Sequence, residues 1–381
     1  MNNGQATPTA PEINSERLLA SFLELVQIGS PSLQEAAMAA RCRQALEDIG
    51  CQVQIDGAAS QTGSNTGNVI ASLAAAGGHS GRIYLSAHMD TVEPGFGIEP
   101  VIADGVIVAA GQTILGGDDK VGVAAIIEAL TTLQESGLPH PEIGVLLSTC
   151  EEIGLKGSQA MDSSGFAGEP CFVLDADGEP GGVIIGAPFH VQYEARFVGK
   201  ASHAGVSPEK GISAILMAAN AVTRLPVGRL DEGSTANVGT IQGGSADNVI
   251  AESCVITGEF RAMEMERSDQ IKAQVMEVLE SAAAQYGGEV QMGFDMAYPG
   301  FKLNEDDELV RMVSDIALQL GLTPEARYTG GGSDANIFAG KGLNPLVLNT
   351  GMTDVHSQDE SLKVADLENL ARMLLAIALS Y

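Results

Sequence analysis

Residues 142–149 and 171–174 read as strands with apolar side chains on both faces, and residues 82–88 form a third β-rich run. This constrains the chain more than any other feature. A strand apolar on both sides must be covered on both, which is the habit of α/β sheets with helices above and below. Each run also stops at an ionisable residue: His88 with Asp90 two positions on, Glu151-Glu152 after Cys150, and Asp175 after Leu174. In such sheets the ligand crevice lies beyond the carboxyl ends of the strands, so these groups are expected along one edge. A further pair, Asp118-Asp119, lies between Gly117 and Lys120 and opens the apolar run 121–133. Aspartate at a helix start ordinarily caps free N–H groups and suits the positive end of the helix dipole. Asp119 can fill that role and leave Asp118 for another.

The remaining pattern divides the chain. Helical periodicity covers 15–28, with Ser15 as the expected cap, and 33–49. Strands are expected at 51–55 and 68–73, and as one alternating run at 101–109, before a helix at 119–135. From Gly186 the texture changes to strand 189–198, helix 209–224, strands 236–242 and 252–262, helix 268–286 opened by Ser268 and Asp269, and strand 288–294. This strand–helix–strand–strand–helix–strand succession predicts a small α+β, ferredoxin-like unit. After Pro299 the α/β texture returns with helix 305–320, loop 329–334, strand 345–348 and helix 363–379. The expected architecture is an α/β, mixed-sheet domain of 1–186 and 297–381, interrupted by an inserted α+β domain of 187–296. A chain of 381 residues is long for one core.

Composition removes several function classes. A formal net charge of −29 argues against nucleic acid, whose phosphates need a basic face, and against an anionic membrane surface. No run of about 18 apolar residues marks a membrane span. The first 12 residues are polar and lack the apolar stretch of a secretion signal, so a frayed tail is expected there. Five cysteines, odd in number, scattered and without CxxC spacing, suit reduced thiols in a cytoplasm.

His88, Asp118, Glu152, Asp175 and His356 together offer imidazole and carboxylate without thiolate. That donor set suits catalytic zinc, and also cobalt or manganese. A carboxylate reaching two cations would make a two-metal site. Asp90 is placed to hold the far nitrogen of His88, and Glu151 to take a proton from water. Gly330-Gly331-Gly332 before a helix-capping Ser333 suits an anion. His79, His140 and His190 have no matching context.

Ser86-Ala87-His88-Met89-Asp90-Thr91-Val92, Gly117-Asp118-Asp119-Lys120, Thr149-Cys150-Glu151-Glu152-Ile153-Gly154, Lys200-Ala201-Ser202-His203-Ala204-Gly205 and Asp354-Val355-His356-Ser357 together resemble the M20 metallopeptidases, and within them the tripeptidase (peptidase T)-like branch. The likeness spans nearly the whole chain, with the motifs in family order. It implies a hydrolase of small peptides with two zinc ions, in a catalytic domain interrupted by a lid that often serves for dimerisation. On that resemblance His88 and Asp175 look like ligands of one ion, Glu152 and His356 of the other, and Asp118, two before the lysine, like the bridge. Glu151 resembles the general base, Asp90 the residue orienting His88, and His203 a lid residue holding substrate or oxyanion. Asn248, Arg261, Gly332 and Ser333 resemble substrate-binding positions. Asp175 is preferred to Asp177 because it directly follows the strand. An amidohydrolase of N-acyl amino acids on the same metal core is the alternative activity. A silent binding protein that kept the fold is the alternative outside enzymes.

Overall fold

The two-sided apolar runs form the middle of a mixed sheet. Its strands lie in the spatial order Gln52–Ile55, Val69–Leu73, Glu142–Ser148, Arg82–His88, Pro170–Ala176, Asn344–Asn349 and Gly182–Ala187. Arg82–His88 runs parallel to both Glu142–Ser148 and Pro170–Ala176, which is parallel in turn to Asn344–Asn349. The flanking strands are antiparallel. Four parallel strands therefore end at the same edge. The computed structural model describes residues 11–381. It divides into one unit running through Ile185 with Leu303–Tyr328 and Ser333–Tyr381, and a second of Gly186–Lys302 with Thr329–Gly332. The expected tail lies mostly outside the described residues.

Helix Gly117–Ser136 is buried on nearly all sides, packed against helices Val364–Ser380, Ser15–Gln27 and Ala36–Ile49 and against the sheet. Fully burying side chains such as Val123 and Leu130 stabilises by about 1.5–3 kcal/mol each. Gly122 is required by this packing: a Cβ there would come within 2.5 Å of Asp119 Oδ1 and 2.9 Å of Leu174 Cβ. In the second unit five strands pair antiparallel in the order Gly228–Asp231, Ser234–Gly243, Ser253–Ala262, Phe189–Val198, Glu289–Tyr298. Helices Ala214–Val222 and Met265–Tyr286 close over Tyr193, Phe197, Ile256 and Phe260.

Several local expectations are corrected. Asn14, not Ser15, caps the first helix, its side chain accepting from Arg17 N at 3.0 Å. The second begins at Ala36 because Leu33 has φ 75°, outside helical space. The run 101–109 breaks into a hairpin, Glu99–Ala103 and Val106–Ala110, at Asp104-Gly105, both with positive φ, the Asp-Gly signature of a tight turn. Strands Gly182–Ala187 and Gly228–Asp231 were not anticipated. Met265–Tyr286 starts ahead of Ser268, which is buried in its first turn, and Glu264 is the cap residue. The 209–224 segment is a 3-10 turn, Pro208–Lys210, followed by a helix capped by Ser213.

All five cysteines are free and buried. Burial pushes the thiols up, Cys42 to about 12 and Cys51 to about 11. A thiol held protonated in the fold stabilises fully below its unfolded pKa, and the contribution is lost as pH rises toward the folded value. For Cys51 the window runs from 9.0 to about 11. Relative to Cys51→Ala, wild-type stability in urea titrations is expected to fall by up to about 1.4 kcal/mol per pH unit there. Parallel curves for the two proteins would contradict this.

Among the described residues no helix is long and apolar enough to cross a membrane.

Candidate metal centre

His88 closes its strand and is buried. Its Nε2 lies 3.1 Å from Asp118 Oδ1 and 3.9 Å from Asp175 Oδ1. The other oxygen of Asp118, Oδ2, lies 3.2 Å from His356 Nε2, and that nitrogen is 3.0 Å from Glu152 Oε1. Asp118 thus stands between two imidazoles, one per oxygen. Donor atoms of His88, Asp118 and Glu152 fall within 4.8 Å of one another, as do those of His88, Glu151 and Asp175. Six residues drawn from five stretches of sequence share one region of space.

The loops carrying them are held by further buried carboxylates. Asp90 accepts from Glu151 N at 2.9 Å, Glu152 N at 3.2 Å and Ser32 Oγ at 2.6 Å. Its carbonyl, not its carboxylate, is the nearer group to His88 Nδ1, at 2.9 Å against 3.6 Å. Asp90 can therefore orient the imidazole, chiefly through its backbone. Asp119 accepts from His88 N and Gly122 N, both at 3.2 Å, so it caps the helix and fixes the end of the strand together. Glu35 accepts from Cys150 N at 3.0 Å and from Cys150 Sγ at 3.2 Å. Glu360 accepts from Gly116 N at 2.8 Å and Asp118 N at 3.0 Å. Sequence reasoning missed both, since Glu35 falls in the run read as helical and Glu360 in irregular chain, and no pattern marks either. The one available hint is that Glu360 follows His356 by four residues. Cys150, Asp354 and His356 hold left-handed backbone with φ of 54°, 53° and 62°. Each such non-glycine residue costs on the order of 1–3 kcal/mol and persists where its surroundings over-determine it.

Electrostatics follow from this crowding. Burial raises the Asp118 carboxyl, but hydrogen bonds from His356 and His88 outweigh it and hold the group below the usual range. Hydrogen bonds to Asp118 and Glu152 raise His356 to about 10. Burial opposes the charged form of His88, yet Asp118 and Asp90 lift it well above its ordinary value. Burial, then repulsion from neighbouring carboxylates, raises Asp175 and Glu151 well above theirs. Among the described residues no lysine or arginine forms an ion pair with Asp118, Glu152 or Asp175. Imidazole and carboxylate donors gathered without lysine or arginine fit divalent cations.

The other sequence candidates lie elsewhere. Asp177 is exposed and pairs with Arg327 Nη2 at 2.5 Å, so Asp175 alone of the two joins the cluster. The strand runs on to Ala176, which places Asp175 near its end instead of just past it. His203, Asn248, Arg261 and Gly332 belong to the second unit. There Asn248 O accepts from Ala204 N at 2.9 Å beside the bridge His203–Val249. Arg261 donates to Gly330 O at 2.9 Å and to Glu259 Oε2 at 3.2 Å, and Glu259 also pairs with the buried His190. At Gly332 a Cβ would stand 2.3 Å from the Tyr298 ring. Ser333, in the first unit, engages its hydroxyl and its amide in the cap of Asp334–Gly340.

Residues 84–380 match the model of peptidase family M20/M25/M40. The uncharacterized protein YqjE of Bacillus subtilis (strain 168) is 38% identical over 365 residues, covering 96% of this chain and 98% of its own. Peptidase T of Haemophilus influenzae (strain PittGG) is 26% identical over 286 residues, 73% of this chain and 68% of that one. Among solved structures, aminopeptidase PepT from Bacillus cereus ATCC 10987 has a TM-score of 0.90 at 38% identity, covering 96% of this chain and 98% of that one. A tripeptidase from Staphylococcus aureus subsp. aureus mu50 has a TM-score of 0.91 at 34% identity, with 97% and 98% covered.

Proposed function

The chain belongs to peptidase family M20/M25/M40, and from that premise we propose a tripeptidase- or aminopeptidase-like hydrolase of small peptides using two zinc ions, with cobalt or manganese as alternative metals. The observation that carries the reading is Asp118, whose two oxygens face two imidazoles at 3.1 and 3.2 Å. His88 and Asp175 would hold one ion, Glu152 and His356 the other, and Asp118 would offer an oxygen to each. Such ions, when bound, would supply Lewis acidity for a carbonyl and lower the pKa of water.

The chain's own groups do the rest. Glu151 takes the proton of the attacking water and delivers it to the leaving amine. Burial and the neighbouring Asp175 raise its carboxyl, which brings a glutamate closer to the basicity such a role needs. Asp90 holds Glu151 by its backbone N–H and His88 by its ring, so base and ligand keep a fixed relation. His203 shares the charge of the developing oxyanion. Asn248, Arg261, Gly332 and Ser333 bind substrate, and the guanidinium of Arg261, already steadied by Glu259 and Gly330, suits a carboxylate. Family habit extends the reading to a homodimer through the second unit. Buried, unpaired cysteines favour a cytoplasmic location, and the net charge of −29 disfavours nucleic acid and membrane as partners.

The test is a panel on zinc-loaded protein: di- and tripeptides with free amino ends against N-acetyl amino acids. Peptides are expected to be preferred in kcat/KM by at least about 100-fold, the discrimination available when a site's polar groups lose their partners. Preference for the N-acetyl compounds would replace peptide hydrolysis with amidohydrolysis on the same metals.

A further inference from the structure

Glu360 sits outside the donor cluster, yet it is 1% exposed and has no arginine, lysine or histidine paired with it among the described ion pairs. A buried glutamate is costly unless its oxygens are occupied. Here the occupants are backbone amides: Oε2 accepts from Gly116 N at 2.8 Å and Oε1 from Asp118 N at 3.0 Å. These amides flank Gly117, where even a Cβ would stand 3.2 Å from Oε1. The carboxylate therefore grips the backbone of the residue whose own side chain lies between the imidazoles.

Its position is fixed from the other side as well. Glu360 N donates to Ser357 O at 3.3 Å, in the turn that carries His356. The next residues, Ser361–Lys363, are locked by pairing with Val106–Ala110 and Met352–Thr353. One side chain thus joins the loop of Asp118 to the loop of His356.

We propose that Glu360 is a positioning residue that sets the place of the bridging carboxylate relative to His356, and through it the affinity for both ions. The inference rests on the two-ion reading above. Two features make a carboxylate the required group. It offers an acceptor to each of two N–H donors, whereas an amide would turn its NH2 toward one of them. Aspartate keeps both acceptors but is shorter by one methylene.

The experiment is chelator competition on the full chain charged with zinc, comparing wild type, Glu360→Gln and Glu360→Asp, with thermal midpoints of the metal-free proteins alongside. Removing a group that orients ligands typically weakens metal binding about 10–100-fold. Glu360→Gln is expected to weaken both ions together by at least about 10-fold, with Glu360→Asp in between and the metal-free midpoint of Glu360→Asp near wild type. Unchanged zinc affinity in both variants would overturn the assignment, as would a loss confined to thermal stability. If Glu360→Gln does not fold, unchanged affinity in Glu360→Asp overturns it alone. Wild-type protein that takes up no zinc would instead overturn the two-ion reading beneath it.

Discussion

Glu151→Gln is expected to reduce kcat by about 10²–10⁴-fold, the usual contribution of a positioned general acid–base group, with zinc content unchanged. The amide keeps the size of the side chain and disturbs neither the backbone bond from Glu151 N to Asp90 nor the ligands on either side. It cannot accept the proton of water. The pH profile gives a second readout. A base works only when deprotonated, so activity should fall as pH drops through the Glu151 value, which burial and Asp175 lift above 4.5. Glu151→Gln should remove that acidic limb from whatever rate remains. Metal analysis showing loss of zinc in Glu151→Gln would move this residue from base to ligand.

Asp118→Ala should lose both ions in one step and with them all detectable turnover. The expectation follows from the two contacts at 3.1 and 3.2 Å, one oxygen to each imidazole. No other carboxylate in the cluster has that disposition: Asp175 faces His88, and Glu152 faces His356. Substitution of either of those should therefore weaken one ion chiefly. The comparison is made by metal analysis and by zinc titration of the three variants. Retention of one tightly held ion in Asp118→Ala would place the bridge elsewhere.

The site residues that sequence exposes best are those at the ends of two-sided apolar runs. His88, Glu151 and Asp175 are legible because a buried strand that stops at a charged group needs a reason to stop there. His356 could be placed in the donor set by residue type alone, and family likeness added its pairing with Glu152, for its loop has no periodic neighbour on the amino side. Glu360 stayed invisible, since its partners are backbone amides and nothing in a side-chain pattern encodes an amide, and Glu35 because its partners Ser64 and Cys150 lie 29 and 115 positions away. The same limit explains the local errors in fold. At Asp104-Gly105 alternation of apolar residues continued through a turn, and backbone geometry, not hydropathy, broke the strand. At Met265–Tyr286 the helix begins with a residue that makes no side-chain cap, so the serine three positions on was mistaken for its start. Gly182–Ala187 is buried along its whole length, but its short apolar run, bounded by glycines, has no period to announce it.

The hydrogen bond between Gly116 N and Glu360 spans 244 positions of chain, and this bears on when the site can form. Closing so long a loop costs little more free energy than closing a shorter one, since each doubling adds only about 0.6 kcal/mol. Its effect is on timing. Contacts distant in sequence form late, after local helices and hairpins have settled. During synthesis, then, the strand ends bearing His88, Glu151 and Asp175 exist while Asp118 lacks both its anchoring carboxylate and its second imidazole. An ion arriving at that stage would meet His88, Asp118 and Asp175 without His356, and the proposed ligand set would be complete only when the last segment docks.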